Sequence, residues 1–374
     1  MKSRIIGLAF AVWVAACGMG STTEDQPLQP GTTSEQGLHI NLRGLTRFER
    51  HDLVSDQQEG AAAVDSHLIN AWGLAFAPQG VAWVSAADGH VANVYSADGK
   101  ILMPAVSIPG VMGQPGSPTG QVHNDNPNAF SGDRFILVTE EGLVVGWQPS
   151  VGSEAMKRID NSARSSSYKG AALASFRGQG RLYAADFFNG AVDVFDESYG
   201  PVQTRGGFVD RDLPVGYSPF NIQAVNGALV VTFAKQSQKD KGEEDHGAGL
   251  GFVDLFDGDG RLVARLASGG SLNAPWGVAM TPVDFGRLPN RLLIGNFGDG
   301  RINVFALGDT LGRIESRFDG QLTDLRARPI QIDGLWSLQF GPGAGGFDSH
   351  TLYFTAGPGD EMHGVFGALE LVTQ

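Results

Sequence analysis

The stretch Arg181–Asp196, RLYAADFFNGAVDVFD, reads as two short strands joined by a tight turn. Asn-Gly between alternating apolar runs is a strong short-range hairpin signal, because both residues tolerate positive φ. The same pattern returns at Arg291–Ala306, RLLIGNFGDGRINVFA, with six of sixteen positions identical at an offset of 110 residues. A looser copy, AWVSAADGHVANVYS, starts at Ala82. A recurring hairpin is a repeat unit, and a repeat of this size restricts the chain to solenoids, arrays or propellers.

Each hairpin is preceded by a short apolar stretch rich in small residues: Trp72–Phe76, Gly120–Val122, Gly170–Ala174, Phe220–Ala224, Trp276–Met280 and Leu335–Phe340. Their starts fall 50 to 60 residues apart, the period of propeller blades with modest insertions. Small residues suit the crowded strand nearest an axis. The spacing therefore predicts an all-β, six-bladed β-propeller of four-stranded blades over residues 45–374. The sixth repeat lacks an outer strand because the chain ends at Gln374. Phe48–Val54 is expected to supply it, pairing the two ends of the domain and leaving no open edge. A closed ring buries its own edges, so a monomer is expected.

Glycine numbers 53 of 374 residues, twice the usual share of roughly 7 %, as expected for many short strands and turns. The formal charge of −13 repels phosphate backbones and argues against nucleic-acid binding. Cys17 is the single cysteine, so no intrachain disulfide framework exists. Lys2 and Arg4 precede an apolar run, Ile5–Ala16, too short to span a bilayer. The run ends in Val14-Ala15-Ala16-Cys17, which resembles a bacterial lipobox. That resemblance implies a signal peptide over residues 1–16, cleavage before Cys17 and lipidation of its thiol. Gly18, in place of Asp, implies the outer membrane, facing the periplasm or the exterior. Gly18–Gly37 has few large apolar residues and is read as part of a flexible tether reaching residue 44.

The strand–turn–strand pattern at Leu182–Asp196 and Leu292–Phe305 resembles the NHL-type repeat. The chain is also similar to an uncharacterised family of secreted bacterial proteins, many with a PEP-CTERM sorting tail. That likeness rests on Asn70-Ala71-Trp72-Gly73-Leu74-Ala75, Tyr168-Lys169-Gly170, Ala185-Asp186-Phe187, Gly216–Ile222, Ala274-Pro275-Trp276-Gly277 and Ile332–Trp336. The sorting tail is absent here and the lipobox stands in its place. The resemblance implies export and a propeller, and carries no activity.

Ligands of propellers bind at a mouth of the central funnel, where the turns between second and third strands and the approaches to first strands converge. Candidates there are His123, Glu140, Lys169, Asp186, Asn221, Lys235, Asn296 and Asp360. Glu140, Asp186, Asn221 and Asn296 offer oxygens of the kind that hold Ca²⁺, as in six-bladed metal-dependent lactonases. The competing reading is turn chemistry, in which Asp and Asn bond their own backbone. Lys169 and Lys235 either meet an anionic ligand or neutralise Asp186 and Glu140. Asp257-Gly258-Asp259-Gly260 lacks the remaining ligands of a calcium loop and reads as a hairpin turn. Gln236–Gly249, a polar insertion, is expected to be a mobile, solvated tip or else a lid. Trp72, Trp276 and Trp336 are expected in the core. The chain is thus expected to be an exported, lipid-anchored module binding a small molecule or an envelope protein. The alternative is a Ca²⁺-dependent hydrolase of a small ester or lactone.

Overall fold

The computed structural model describes residues 46–57, 60–310 and 312–372. Cys17, the signal peptide and the tether lie outside them. Six antiparallel sheets follow one another in chain order, each starting at its innermost strand. Blade 1 runs Ala71–Ala77, Val81–Ala86, Val91–Tyr95 and Val106–Ser107. Blade 2 runs Pro118–His123, Phe135–Thr139, Leu143–Trp147 and Met156–Asp160. Blade 3 runs Tyr168–Phe176, Gln179–Asp186 and Ala191–Asp196. Blade 4 runs Tyr217–Val225, Ala228–Gln236, Phe252–Phe256 and Leu262–Ser268. Blade 5 runs Pro275–Met280, Arg291–Asn296, Ile302–Thr310 and Arg313–Gln321. Blade 6 runs Leu335–Phe340, Leu352–Ala356, Val365–Val372 and, as its outer strand, Arg47–Ser55.

The expected closure is present. Phe48 faces Leu371 and Ser55 faces Val365 across an antiparallel pair with one bulge. Two short parallel strands then cover the new edge: Ala61–Val64 lies against Asp52–Ser55, and Thr323–Asp324 against Arg47–Phe48. Blade 3 departs from the regular pattern. Its outer position holds a single bridge, Phe195 to Pro201. The chain beyond it pairs with the next blade instead, Gly206 N–H with Asp259 O and Phe208 N–H with Gly260 O. The Asp257–Gly260 stretch is accordingly the hairpin turn expected.

The core lies in the seams between blades. Between blades 1 and 2, Trp83 stacks on Phe135 at 4.0 Å. Between blades 6 and 1, Phe76, Phe347, Tyr353 and Phe366 pack together. Apolar side chains on both faces of each inner strand follow from burial on both sides, so strict alternation is lost there. Among the described residues no helix is long and apolar enough to cross a membrane.

Candidate functional site

One irregularity repeats in all six inner strands. Their pairing with the second strand slips at Trp72-Gly73, Thr119-Gly120, Lys169, Phe220, Trp276 and Trp336-Ser337. A bulge of this kind re-aims the side chain it contains. Here it turns one residue per blade toward the axis, where residues of non-adjacent blades meet. Trp72 stacks on Trp336 at 3.6 Å, and Trp276 meets both edge-on. Phe220 lies 5.8 Å from Trp336. Lys169 Nζ sits 5.1 Å over the Trp72 ring, and Lys169 O accepts the Trp276 indole N–H at 3.1 Å. Thr119 Oγ1 donates to Tyr168 O. These residues plug the axis.

The plug is tight because small residues follow it: Gly73, Gly120, Gly170 and Gly277, with Asn221 and Ser337 in the other two blades. A Cβ on Gly170 would overlap the Asn221 amide, and one on Gly73 the Thr119 carbonyl. The axial space beside this ring is about 20 Å³, room for roughly one water. The Trp72 indole N–H is buried without a protein acceptor.

Lys169 is the one charged member of the plug and is 2 % exposed. Its ammonium pairs with Glu140 of the blade 2 turn. Burial alone would push it down; Glu140, Glu244 and Glu243 overrule this and hold it above its ordinary value. Glu361 of the blade 6 turn joins them. Burial, then Glu244, push its carboxyl up to about 8 against the opposing pull of Lys169. Glu361 therefore carries a proton at neutral pH. It follows Asp360, and both adopt left-handed backbone at φ 66° and 54°. Two consecutive strained residues are the kind of cost that persists at ligand sites.

Glu243 and Glu244 belong to the Gln236–Gly249 insertion, which folds across the mouth rather than projecting as a solvated tip. Glu244–Asp245 pairs with Lys235–Gln236 as a short strand. Gln236 Nε2 donates to Phe187 O at 2.6 Å, and Gly247 N–H to Asn273 Oδ1 at 2.7 Å. The insertion is thus tied to blade 3 on one flank and to the approach to blade 5 on the other. His246 bonds Glu244 at 3.0 Å, which raises its pKa, and rests edge-on over Phe297. Phe297 stacks on Trp336 at 3.9 Å, joining lid to plug.

The proposed calcium ligands do not come together. Asp186 accepts from Ser167 N–H, Asn189 N–H and the Asn189 amide, capping its own turn. Asn296 donates to Ser271 O and Asp299 and accepts from Asn303. Asn221 donates to Trp276 O within the axial ring. Glu140 alone reaches the mouth cluster. Among the described residues no group of three or more His, Cys, Asp and Glu is placed to hold a metal ion. The residue types were those of a metal site, but the turns consume them. Lys169 takes Glu140 as its partner and not Asp186. Lys235 is half-buried at the root of the lid, and among the described residues makes no ion pair. Asp360 is exposed beside Glu361. His123 ends the inner strand of blade 2, in the seam with blade 1 and away from the mouth cluster. Glu243, Glu244 and His246 were overlooked as site residues; the density of acids and a histidine in an insertion at a second-to-third-strand turn was the available signal.

Six blades, an N-terminal strand closing the last and a plugged, lidded mouth define a six-bladed β-propeller. The chain is 30 % identical over 341 residues to uncharacterized protein R648 of Acanthamoeba polyphaga mimivirus, covering 87 % of this chain and 81 % of that protein, and it belongs to that family. Uncharacterized protein L690 of the same virus is 29 % identical, with 87 % of each chain covered. No protein-family model matches. Among solved structures, a Bacteroides thetaiotaomicron protein of unknown function superposes with a TM-score of 0.54 at 11 % identity, over 87 % of this chain and 76 % of that one. A putative oxidoreductase (glucose dehydrogenase) of Thermus thermophilus gives 0.50 at 13 %, over 86 % and 99 %. At such identities these likenesses show the fold alone.

Proposed function

We propose that the chain is an exported, lipid-anchored binding module of the cell envelope, of the secreted bacterial kind its motifs resemble, whose mouth takes a small ligand bearing a cationic amine. Residues 1–17 support export and anchoring. The observation that carries the binding reading is the convergence of Glu140, Glu243, Glu244 and Glu361, from three blades, on one buried ammonium. Negative charge exceeds what Lys169 neutralises, and Glu361 is left protonated as a result. An arriving amine supplies the missing positive charge, and Glu361 then ionises. The unpartnered Trp72 N–H and the tied-down lid fit a pocket that encloses its ligand. The hydrolase reading loses its basis with the metal-ligand set.

Calorimetry of the full chain with spermidine and putrescine tests this. Saturable binding is expected, with a heat that changes between buffers of different ionisation enthalpy because Glu361 releases a proton. Glu361→Gln should bind without that buffer dependence. No saturable heat with either amine, or binding with no proton release, would sink the proposal.

A further inference from the structure

A second cavity, of about 490 Å³, opens in the seam between blades 1 and 2. Its apolar wall is built from Trp83, Phe135 and Trp147. Trp83 stacks on Phe135, and Trp147 lies 4.6 Å from Trp83. Met103 and Leu102 continue that wall outward, and Leu102 is 48 % exposed. The polar side has a different character. His123 sits edge-on to Phe135 at 4.9 Å, with Nδ1 3.2 Å from Asp125. Burial lowers the imidazole pKa; Asp125 pulls it up and Arg134 pushes it down, leaving it below its ordinary value. His123 is therefore neutral at pH 7, and Asp125 is occupied by it. Arg134 also lines the cavity, and among the described residues its guanidinium has no ion-pair partner. Its backbone is fixed, N–H to Trp147 O at 2.7 Å and O from Asn124 N–H at 2.8 Å.

A guanidinium without a carboxylate stands apart in a chain of charge −13. Most cationic side chains at this protein's surface find acids; this one faces an aromatic cleft. Arginine is suited to carboxylates because its planar fork meets both oxygens. A concave apolar wall with a few convergent polar groups is the usual make-up of a small-molecule pocket.

We infer that the seam between blades 1 and 2 binds a small amphipathic carboxylate, its apolar body against Trp83, Met103 and Trp147 and its carboxylate on Arg134. Neutral His123, held by Asp125, provides a second hydrogen-bonding group at the same end. This site is separate from the mouth and stands whatever the mouth binds.

The probes are 1-naphthylacetate and its uncharged counterpart, 1-naphthylacetamide, titrated into the full chain while tryptophan fluorescence is followed. The acetate should bind with one-site saturation and quench the emission, about tenfold more tightly than the amide. Arg134→Gln should erase that preference while leaving the melting temperature within a degree or so. Leu102→Glu, at the exposed lip, should weaken the acetate more than the amide. Equal binding of the two probes to the native chain, an undiminished preference in Arg134→Gln, or no saturable binding would each overturn the inference.

Discussion

The ammonium of Lys169 lies 5.1 Å above the indole of Trp72, so a charge from blade 3 rests on an aromatic face from blade 1. Contact of this sort across the axis is possible only because both residues sit at bulges. Lys169→Met keeps the volume and removes the charge. Glu140, Glu243 and Glu244 then lose their shared counter-ion. Urea unfolding at pH 7 should show a loss of about 2 kcal/mol, less than a fully buried pair would give because Glu140 is 32 % exposed. The deficit should shrink toward pH 4 as the acids take protons. An equal deficit at both pH values would contradict the charge argument.

Glu361 makes stability depend on pH. Its folded value of about 8 lies above the ordinary value of 4.5, so the folded state holds a proton that the unfolded state releases. Its contribution is full below about pH 4.5, declines through the interval and is lost above about pH 8. Glu361→Gln should match the native chain near pH 4.5 and exceed it at pH 8.5 by a few kcal/mol at most. Melting curves across that range check the sign.

Gly170 and Asn221 share one space. Gly170→Ala should cost about 3 kcal/mol, since the new methyl meets the Asn221 amide. Asn221→Gly removes the obstacle but also the bond to Trp276 O. The double variant should therefore be more stable than the sum of the single losses predicts, by at least about 1 kcal/mol. Strict additivity in chemical denaturation would show that the two do not meet.

Ring closure predicts a sharp boundary. Removing residues 1–45 should leave the melting temperature of the domain unchanged. Removing residues 1–56 strips Arg47–Ser55 from Val365–Val372 and exposes a sheet edge. Aggregation on size-exclusion chromatography is expected for the second truncation and not for the first.

Cys17→Ser tests the anchor. In a bacterial host the native chain should fractionate with membranes and incorporate labelled palmitate. The variant should do neither, while its circular dichroism stays that of a β-rich domain.

Much of the ring was legible because hairpins carry their pattern locally. Asn189-Gly190 and the alternating residues around it mark a turn wherever they occur, and Phe48–Val54 was identifiable as the missing strand by count alone. The site was less legible, for two physical reasons. Asp186 and Asn296 are the same residue types whether they bind a metal or cap a turn, and only coordinates show that their oxygens and amides are spent on Ser167, Asn189 and Ser271. Bulges add the second difficulty. Nothing in a period-two pattern tells that Lys169 leaves the strand's alternation to face the axis. The dipeptides Trp72-Gly73, Thr119-Gly120, Lys169-Gly170 and Trp276-Gly277 were the trace available, a large or polar residue ahead of one without a side chain. The Gln236–Gly249 insertion misled through composition, since its charges read as solvation although they answer Lys169.

The ring of bulged residues leaves the funnel with a single doorway. Whatever occupies the mouth must arrive and depart past the same lid, because the indoles beneath it close the far exit. Loosening that lid, for instance with Asn273→Ala, would then speed entry and escape together. Residence time would fall while equilibrium occupancy changed little, so in this molecule kinetics and affinity are separable by one side chain.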